Sequence, residues 1–598
     1  MDDRQDLPSA TRERAFALHE AGEIEAAATG YQSVLAANPD DVAVLCHFGS
    51  LELDRDRPAA SVPLLERAAA LRPDLPEVQN YLGMGFQALE RWGEATQAFE
   101  RALKLDPQFA AAFFHLGEIA ETLGRAETAV ALYRQTLEHD PEAAIVHVTL
   151  GRLLFRHGNW TGAVQCFRAA QQLPPVGEDS ERLEMQCELG VALLRQNALD
   201  ESAQVFREIL AERPNLAEIH SNLSYIYERQ GRANDAVAAA HRAVEIKPEM
   251  WDGHNNLGVA LRAAHHLKSA RLAFERASAL NPEFLLARFN FGSVCLMQED
   301  YAAGWPAYES RTALMSHPLR QFQVPRWNGE PLPGKTLLLH AEQGYGDTFQ
   351  FLRFVNDAKR RSGARIVLEL PPATLSLLTG ATEADECVAY GQLPSTEIDA
   401  EAPLPSLPGI LGVGATELPG AVPYIAADPE RREDWRARLN RGGTATNIGL
   451  VWQGNSQQAQ DHVRSCPLPA FAALQSLTNV RWFGLQKDLP AKFPDTSGLG
   501  ITPLGHLLND FADTAAVMSA LDLVITVDTS TAHLAGALGV PTWTLLCHTP
   551  DWRWLLRRED SPWYPGMRLF RQPRWGDWTA VLQAVSVALH ERLSRRAA

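Results

Sequence analysis

Hydrophobic and small residues recur every 34 residues through the first half of the chain. Prolines stand at positions 39, 73, 107, 141 and 175, then at 214, 248 and 282, with five extra residues between the two sets. Leu-Gly pairs begin nine residues after four of these eight prolines, at 82, 116, 150 and 257. Small residues are followed four positions later by aromatic residues, as in Ala95 and Phe99 or Ala270 and Phe274. This period predicts stacked two-helix units, in which the small residue allows close approach and the aromatic ring fills the gap.

These recurring positions resemble the tetratricopeptide repeat over about residues 8–283 in eight units, and a ninth incomplete unit begins at Leu285. The resemblance implies an all-α solenoid, here assigned to residues 8–314. Such arrays bind a protein or peptide on their concave face; a spacer or an oligomerisation surface is the alternative.

The proline-rich segment 315–333 is predicted to be a linker. Residues 329–336 at its end fit the pattern of a P-loop. Two prolines inside that pattern remove backbone donors, and an apolar strand-like run follows where a P-loop needs a helix. A turn into the first strand of a new domain is therefore favoured over an ATPase site.

Short apolar runs alternate with helix-like segments after this linker. Runs at 337–340, 365–370, 447–452, 480–485, 521–527 and 542–546 predict parallel strands. The Pro- and Gly-rich segment 400–423 is predicted to be irregular, and a charged helix over 428–441 is predicted to lead into a second lobe. The pattern predicts two α/β lobes, 334–427 and 428–598, that face a common cleft.

The strand predicted at 521–527 runs into the sequence VDTSTAHLAGALGVP, which ends at Pro541. Small polar residues at 528–531 suit an N-cap and a first turn, and a helix is predicted over 532–538. The N–H groups and the dipole at such a helix start form an anion site suited to phosphate. From this stretch alone, an ordinary strand-to-helix turn is the alternative.

This stretch resembles the nucleotide-phosphate motif of heptosyltransferase-type glycosyltransferases, and GYGD at 344–347 is similar to a turn in their amino lobe. Segments 449–468 and 551–572 resemble the branch in which this domain is fused to tetratricopeptide repeats. The resemblance covers about residues 334–595 and implies a GT-B fold with two Rossmann-like lobes. Gln458 and Gln460 stand where that branch usually has His and Asn, so contacts around Asp461 and Arg464 are expected to differ.

Asp347 is the predicted general base for the acceptor hydroxyl. It lies on a turn after a predicted strand, where its carboxylate could enter the cleft. The resemblance implies the same role, with inversion at the anomeric carbon. An N-cap for a helix that starts at Thr348 is the alternative.

The donor side of the predicted site surrounds the turn after Val527. Backbone N–H groups there are predicted to hold the departing diphosphate, while Asp528 caps or orients the turn, because a carboxylate would repel a diphosphate. His533, Lys487 and Arg464 would add donors or charge; a structural or solvated side chain is the alternative for each. A dipole with a cation can replace a divalent metal, so the transfer is predicted to need neither metal nor cofactor. The predicted donor residues are Asp528, Thr529, Ser530, Thr531, Ala532, His533, Lys487 and Arg464, and the predicted acceptor or loop residues are Gln343, Gly344, Gly346, Asn455 and Asp461.

Composition narrows the class of protein. A net charge of −18 disfavours nucleic acid as a partner, and no apolar run reaches the roughly 20 residues of a membrane span. Seven scattered cysteines and an acidic start without a signal pattern predict a reduced, cytoplasmic protein. The sequence predicts a glycosyltransferase of hexosyl or heptosyl type that uses a nucleotide sugar, with repeats that recruit the acceptor, for which a protein is one candidate. A non-catalytic repeat scaffold with a degenerate transferase domain, or an enzyme acting on lipid-linked or capsular glycan, is the alternative.

Overall fold

The computed structural model describes residues 7–174, 177–314, 322–342, 344–392, 394–414, 418, 422–439, 445–455, 461–487, 489 and 492–597. The chain divides into two compact units, Met1–Pro214 and Asn215–Ala598. Across the residues described, no helix has both the length and the apolar character needed to cross a membrane.

Helix pairs form the first unit, and several of them bury a glycine against an aromatic ring of the partner helix. A Cβ on Gly83 would lie 2.5 Å from Phe99 Cε1, and Gly117 stands in the same relation to Tyr133. Both rings are fully buried. The predicted helical solenoid is confirmed; Pro175 of the phased set lies outside the described residues. The helices are α1 (Leu7–Glu20), α2 (Ile24–Ala37), α3 (Val42–Asp54), α4 (Pro58–Leu71), α5 (Pro76–Ala88), α6 (Trp92–Leu105), α7 (Ala110–Thr122), α8 (Ala126–His139), α9 (Ala144–Arg156), α10 (Trp160–Gln171), α11 (Asp179–Arg195) and α12 (Leu199–Glu212).

The second unit begins with further repeats of the same construction. Gly258 contacts the buried ring of Phe274 as Gly83 contacts Phe99. The ninth, incomplete repeat that the sequence predicts from Leu285 is present as two helices. The helices are α13 (Ala217–Arg229), α14 (Ala233–Ile246), α15 (Trp251–Ala263), α16 (Leu267–Leu280), α17 (Leu285–Met297), α18 (Tyr301–Tyr308) and α19 (Arg311–Leu314).

An all-parallel sheet forms the amino lobe, with the strand order β3-β2-β1-β4 among the described residues. The segment 400–423, predicted to be irregular, contains strand β4, which pairs with β1 at Leu337↔Ala400. The helix predicted from Thr348 begins earlier, at Tyr345, and is interrupted by a 3-10 turn at Leu352–Phe354. The elements are β1 (Thr336–His340), α20 (Tyr345–Phe351), α21 (Val355–Ser362), β2 (Arg365–Leu370), α22 (Pro372–Leu378), β3 (Glu386–Ala389), β4 (Ala400–Pro403) and α23 (Leu407–Leu411).

A second parallel sheet forms the carboxyl lobe, with the order β10-β9-β8-β5-β6-β7 among the described strands. Strand β8 lies between β5 and β9 and is buried at all five positions, which explains its continuous apolar sequence. The elements are α24 (Pro429–Leu439), β5 (Thr446–Val451), α25 (Asp461–Arg464), β6 (Val480–Gly484), β7 (Thr502–Pro503), α26 (Phe511–Met518), β8 (Leu523–Val527), α27 (Ser530–Ala537), β9 (Thr542–Leu546), β10 (Met567–Arg571) and α28 (Trp578–Ala597).

The last repeats pack directly on the carboxyl lobe within the second unit. Their contacts recur at the turns between paired helices. Gly231 lies so close to Trp575 that a Cβ there would overlap the indole ring. One repeat later, His265 Nε2 lies 3.0 Å from the His548 carbonyl oxygen, and the two imidazole rings stack. The repeat period therefore also sets the spacing of the contacts with the lobe.

Candidate functional site

A cavity of about 1290 Å³ lies in the second unit, between both lobes and the last repeats. The amino lobe contributes the start of α20, and the carboxyl lobe contributes the start of α27 and the segment that follows β9. Helices α13, α15 and α17 form the repeat wall. Predicted site residues at this cavity are Gly344, Gly346, Asp347, Asn455, Arg464, Lys487, Asp528, Thr529, Ser530, Thr531 and His533.

The turn between β8 and α27 presents a helix N-terminus to this cavity. Thr529 is the N-cap, and its side-chain oxygen accepts a hydrogen bond from the Thr531 N–H at 3.3 Å. Helix α27 starts at Ser530, two residues before the predicted start, and Ala532 is fully buried. Of the two roles predicted for Asp528, capping the helix is wrong, because Thr529 is the N-cap, and orienting the turn stays a prediction.

Asp528 lines the cavity beside this helix start. Burial raises its pKa from 3.8 to about 6, and the charge of Asp551 acts in the same direction. A raised carboxyl pKa means that the folded state holds its proton more tightly than the unfolded chain. The folded state is therefore progressively destabilised as pH rises from about 4 to about 6.

Replacement of Asp528 by Asn is expected to stabilise the protein by about 1–3 kcal/mol at pH 7, since the amide has no charge to desolvate. The gain over wild type should be small near pH 4, grow up to about pH 6 and then level off. Urea unfolding of both proteins at intervals between pH 4 and pH 8 measures this difference. A difference that does not change with pH would contradict it.

The GYGD turn packs against the start of α27. Gly344 is the N-cap of α20, and Asp347 lies in the first helical turn. A Cβ on Gly346 would lie 2.9 Å from His533 Cδ2, so only glycine allows this approach without displacement. The alternative in which Asp347 caps a helix from Thr348 is wrong, because the helix begins at Tyr345.

A buried arginine from the carboxyl lobe holds Asp347. Arg553 Nη2 donates to Asp347 Oδ1 at 2.6 Å, and its Nη1 donates to Asp551 Oδ1 at 2.7 Å. Its Nε donates to Gln350 Oε1 at 2.6 Å. The Arg553 side chain is 8% exposed and that of Asp347 is 33% exposed, so the carboxylate reaches the cavity while the guanidinium is enclosed. Nearby carboxylates, Asp551 foremost, raise the pKa of Arg553 well above its usual range although burial acts against this.

Sequence reasoning did not select Arg553, although it lies in the segment 551–572 that carried the family resemblance. A lone Arg among tryptophans gives no local sign that it meets a carboxylate 206 residues earlier.

His533 is held by aromatic neighbours. Its Nδ1 lies 2.9 Å from the Tyr564 hydroxyl, and its ring stacks on Trp554 with centroids 5.1 Å apart. Burial lowers the pKa of His533 well below its usual range, and the charges of Arg553 and Arg353 act in the same direction. The imidazole is therefore neutral at physiological pH. It packs between the GYGD turn and the start of α27.

The remaining predicted residues surround the segment after β5. Arg464 Nε lies 3.4 Å from Asp461 Oδ1, which also accepts from Ser465 Oγ at 3.0 Å. Asp461 is buried, whereas Lys487 and Asn455 are exposed at the cavity. Gln343, Gln458 and Gln460 lie outside the described residues.

Two family models match the chain. The tetratricopeptide repeat model matches residues 81–144, 123–178, 148–217, 187–250 and 255–313. The model of glycosyltransferase family 9 (heptosyltransferase) matches residues 508–572. That second match contains both the α27 start and Arg553.

Known proteins resemble parts of the chain. Protein FlbA of Caulobacter vibrioides is 28% identical over 330 residues, and the match covers 51% of this chain and 55% of that protein. Among solved structures, YrrB, a TPR protein with an unusual peptide-binding site, is 18% identical with a TM-score of 0.28 and matches 32% of this chain and 96% of its own. MamA from Desulfovibrio magneticus RS-1 is 19% identical with a TM-score of 0.27 and matches 29% of this chain and 96% of its own. This chain thus joins an array of tetratricopeptide repeats to a carboxyl-terminal α/β region, in which residues 508–572 match glycosyltransferase family 9.

Proposed function

We propose that this protein transfers a glycosyl group from a nucleotide-activated sugar to an acceptor hydroxyl, with inversion and without a metal ion. The observation that supports this most strongly is the contact of Gly346 with His533. Through it, the Asp347 carboxylate and the N-terminus of α27 share one cavity. The family 9 match over 508–572 supports glycosyl transfer in general.

In this proposal the start of α27 binds the phosphate groups of the donor. The N–H groups of Thr531 and Ala532, predicted to bind the phosphate, already donate to Thr529 at 3.3 Å and 3.0 Å. The Ser530 N–H has no acceptor among the described residues and lies at the positive end of the helix dipole, so it stabilises negative charge. The Thr529 and Thr531 hydroxyls and the exposed amine of Lys487 add donors from the same cavity wall. Their attraction increases as charge builds on the departing phosphate, which favours the transition state over the bound substrate.

Asp347 acts as the general base in this scheme. Arg553 contacts Oδ1 and fixes the carboxylate, and Oδ2 can receive the proton of the acceptor hydroxyl. As that proton leaves, the acceptor oxygen attacks the anomeric carbon from the face opposite the phosphate. The bond to the phosphate oxygen breaks, and the configuration at that carbon inverts.

The acceptor reaches the cavity along the repeats. Tyr225, Leu286 and Phe289, on the repeat wall, give the cavity an apolar side, and Tyr225 and Leu286 are 40% and 39% exposed. Exposed aromatic and aliphatic residues on a repeat surface suit a protein or peptide acceptor. None of the seven cysteines, all of which lie in the described part of the chain, forms a disulfide, and this supports a reducing, cytoplasmic compartment.

Incubation with a panel of nucleotide sugars tests the proposal by nucleotide release. At least one donor should be turned over by the wild type, and more slowly by a Thr529→Val, Thr531→Val double variant. Donor binding without turnover would favour the non-catalytic scaffold. Neither binding nor turnover with any donor would contradict the proposal.

A further inference from the structure

Arg262 is a cation of the repeats that faces the cavity. It lies near the end of α15, is half-buried and lines the cavity. It forms neither a hydrogen bond nor an ion pair within 4 Å with any part of the chain that the structure describes. Two other arginines of the repeats are paired: Arg311 with Glu342 at 2.7 Å, and Arg271 with Asp300 at 2.7 Å.

Two carboxylates, those of Glu228 and Asp551, interact electrostatically with the Arg262 guanidinium. Both of them also interact with other positively charged side chains. Asp551 already binds Arg553 at 2.7 Å. Glu228, on α13, also feels the charges of Arg229 and His462. Burial lowers the pKa of Arg262, although both carboxylates act in the opposite direction. The protein thus neutralises this guanidinium only in part.

A partly desolvated guanidinium has five N–H donors in a plane and binds phosphate or carboxylate oxygens in pairs. Leaving it unpaired destabilises the empty protein, so such a residue is expected where a ligand supplies the missing charge. Asp551 interacts electrostatically with both Arg262 and Asp528, and the latter begins the α27 turn. Arg262 and the proposed phosphate site therefore belong to one charge network in the cavity.

We propose that Arg262 binds an anionic group, phosphate or carboxylate, of the ligand in this cavity, so that the repeats form part of the substrate site as well as guiding the acceptor. This inference rests on the proposed function and deepens it. The anion comes either from the donor phosphates or from an acidic side chain of the acceptor. Both present paired oxygens to the same guanidinium.

Titration calorimetry with nucleoside mono- and diphosphates, and with inorganic pyrophosphate, tests the donor source. If the donor supplies the anion, Arg262→Gln weakens binding at least tenfold and Arg262→Lys weakens it less. The control is Arg276→Gln, which removes an exposed charge from α16 and should bind as wild type. If the threonine double variant no longer binds the nucleotides but Arg262→Gln binds them as wild type does, the proposed function stands. The donor phosphates are then excluded as the source of the anion.

A glutamate-rich peptide in the same calorimeter tests the acceptor source. If the acceptor supplies the anion, Arg262→Gln weakens peptide binding at least tenfold while nucleotide affinity is unchanged. Wild-type affinity of Arg262→Gln for both kinds of probe would overturn the inference. Because the guanidinium is unpaired, the melting temperature of ligand-free Arg262→Gln should equal or exceed that of wild type. A lower melting temperature would assign Arg262 to the fold and would also overturn it.

Discussion

Replacement of Asp347 by Asn is expected to lower nucleotide release from a turned-over donor by about 10²–10⁴-fold, the usual contribution of a general base. The amide keeps the shape of the side chain and an oxygen for Arg553, but it cannot accept the proton of the acceptor hydroxyl. Donor affinity should change little, because the phosphate donors lie at the start of α27. Steady-state nucleotide release, together with calorimetry of donor binding, separates the two effects.

The matched control is Asp357→Asn, which removes an exposed carboxylate of the same lobe that pairs with Arg360. It should retain wild-type turnover, because it does not line the cavity. Wild-type turnover by Asp347→Asn would assign the base to another group. Loss of donor binding together with activity would instead give Asp347 a role in the ground-state complex.

Replacement of Arg553 by Met is expected to destabilise the second unit by about 2–4 kcal/mol. This is less than the roughly 3–5 kcal/mol for breaking a fully buried ion pair, because the side chains of its partners Asp347 and Asp551 are 33% and 40% exposed. Asp347 and Asp551 would then face each other's charge without a cation between them. Arg553→Lys should recover only part of the loss, since one ammonium cannot reproduce the three hydrogen bonds to Asp347, Gln350 and Asp551. Urea unfolding measures both changes.

Arg558→Met is the control for the general effect of replacing an arginine side chain by methionine. Arg558 forms a two-point pair with Asp560, but both side chains are exposed, at 37% and 62%. Its loss should cost less than about 1 kcal/mol. If both substitutions lower the free energy of unfolding equally, Arg553 does not stabilise the fold by pairing with Asp347 of one lobe and Asp551 of the other.

The repeats were predictable because their packing is encoded at short range. Gly83 meets Phe99 only 16 positions later, and the same relation recurs at Gly258 and Phe274. A contact of this kind recurs in every repeat of the same construction, so its period is visible in the sequence.

Strands at the sheet margins were harder to predict. Strand β4 (AEAP) contains a charge and a proline, and it is a strand because β1 supplies its hydrogen-bond partners from 63 residues earlier. Strand β8 lies between two neighbours and is buried throughout, so its apolar run alone predicts it. Sequence patterns thus predicted interior strands better than those formed by pairing at an edge.

For the site, local chemistry indicated both turns but not the residue that connects them. The small polar run at Thr529 and the glycines around Tyr345 are visible in sequence because helix starts and close backbone approaches favour those residue types. Arg553 meets Asp347 across 206 residues, and no period or motif encodes that distance. The role of Arg262 could not be predicted from the sequence either, since its position within a repeat helix does not indicate the cavity that it lines.

A crystal structure with a non-hydrolysable nucleotide sugar would show whether the start of α27 and Asp347 act on one bound donor. We expect phosphate oxygens within hydrogen-bond distance, about 2.7–3.2 Å, of the Ser530 N–H and the Thr531 hydroxyl, because the N–H groups of Thr531 and Ala532 already donate to Thr529. We also expect the anomeric carbon on the side of the cavity that faces Asp347, with room between them for an acceptor oxygen. A nucleotide bound elsewhere, or a sugar directed away from Asp347, would contradict the proposed roles of α27 and Asp347.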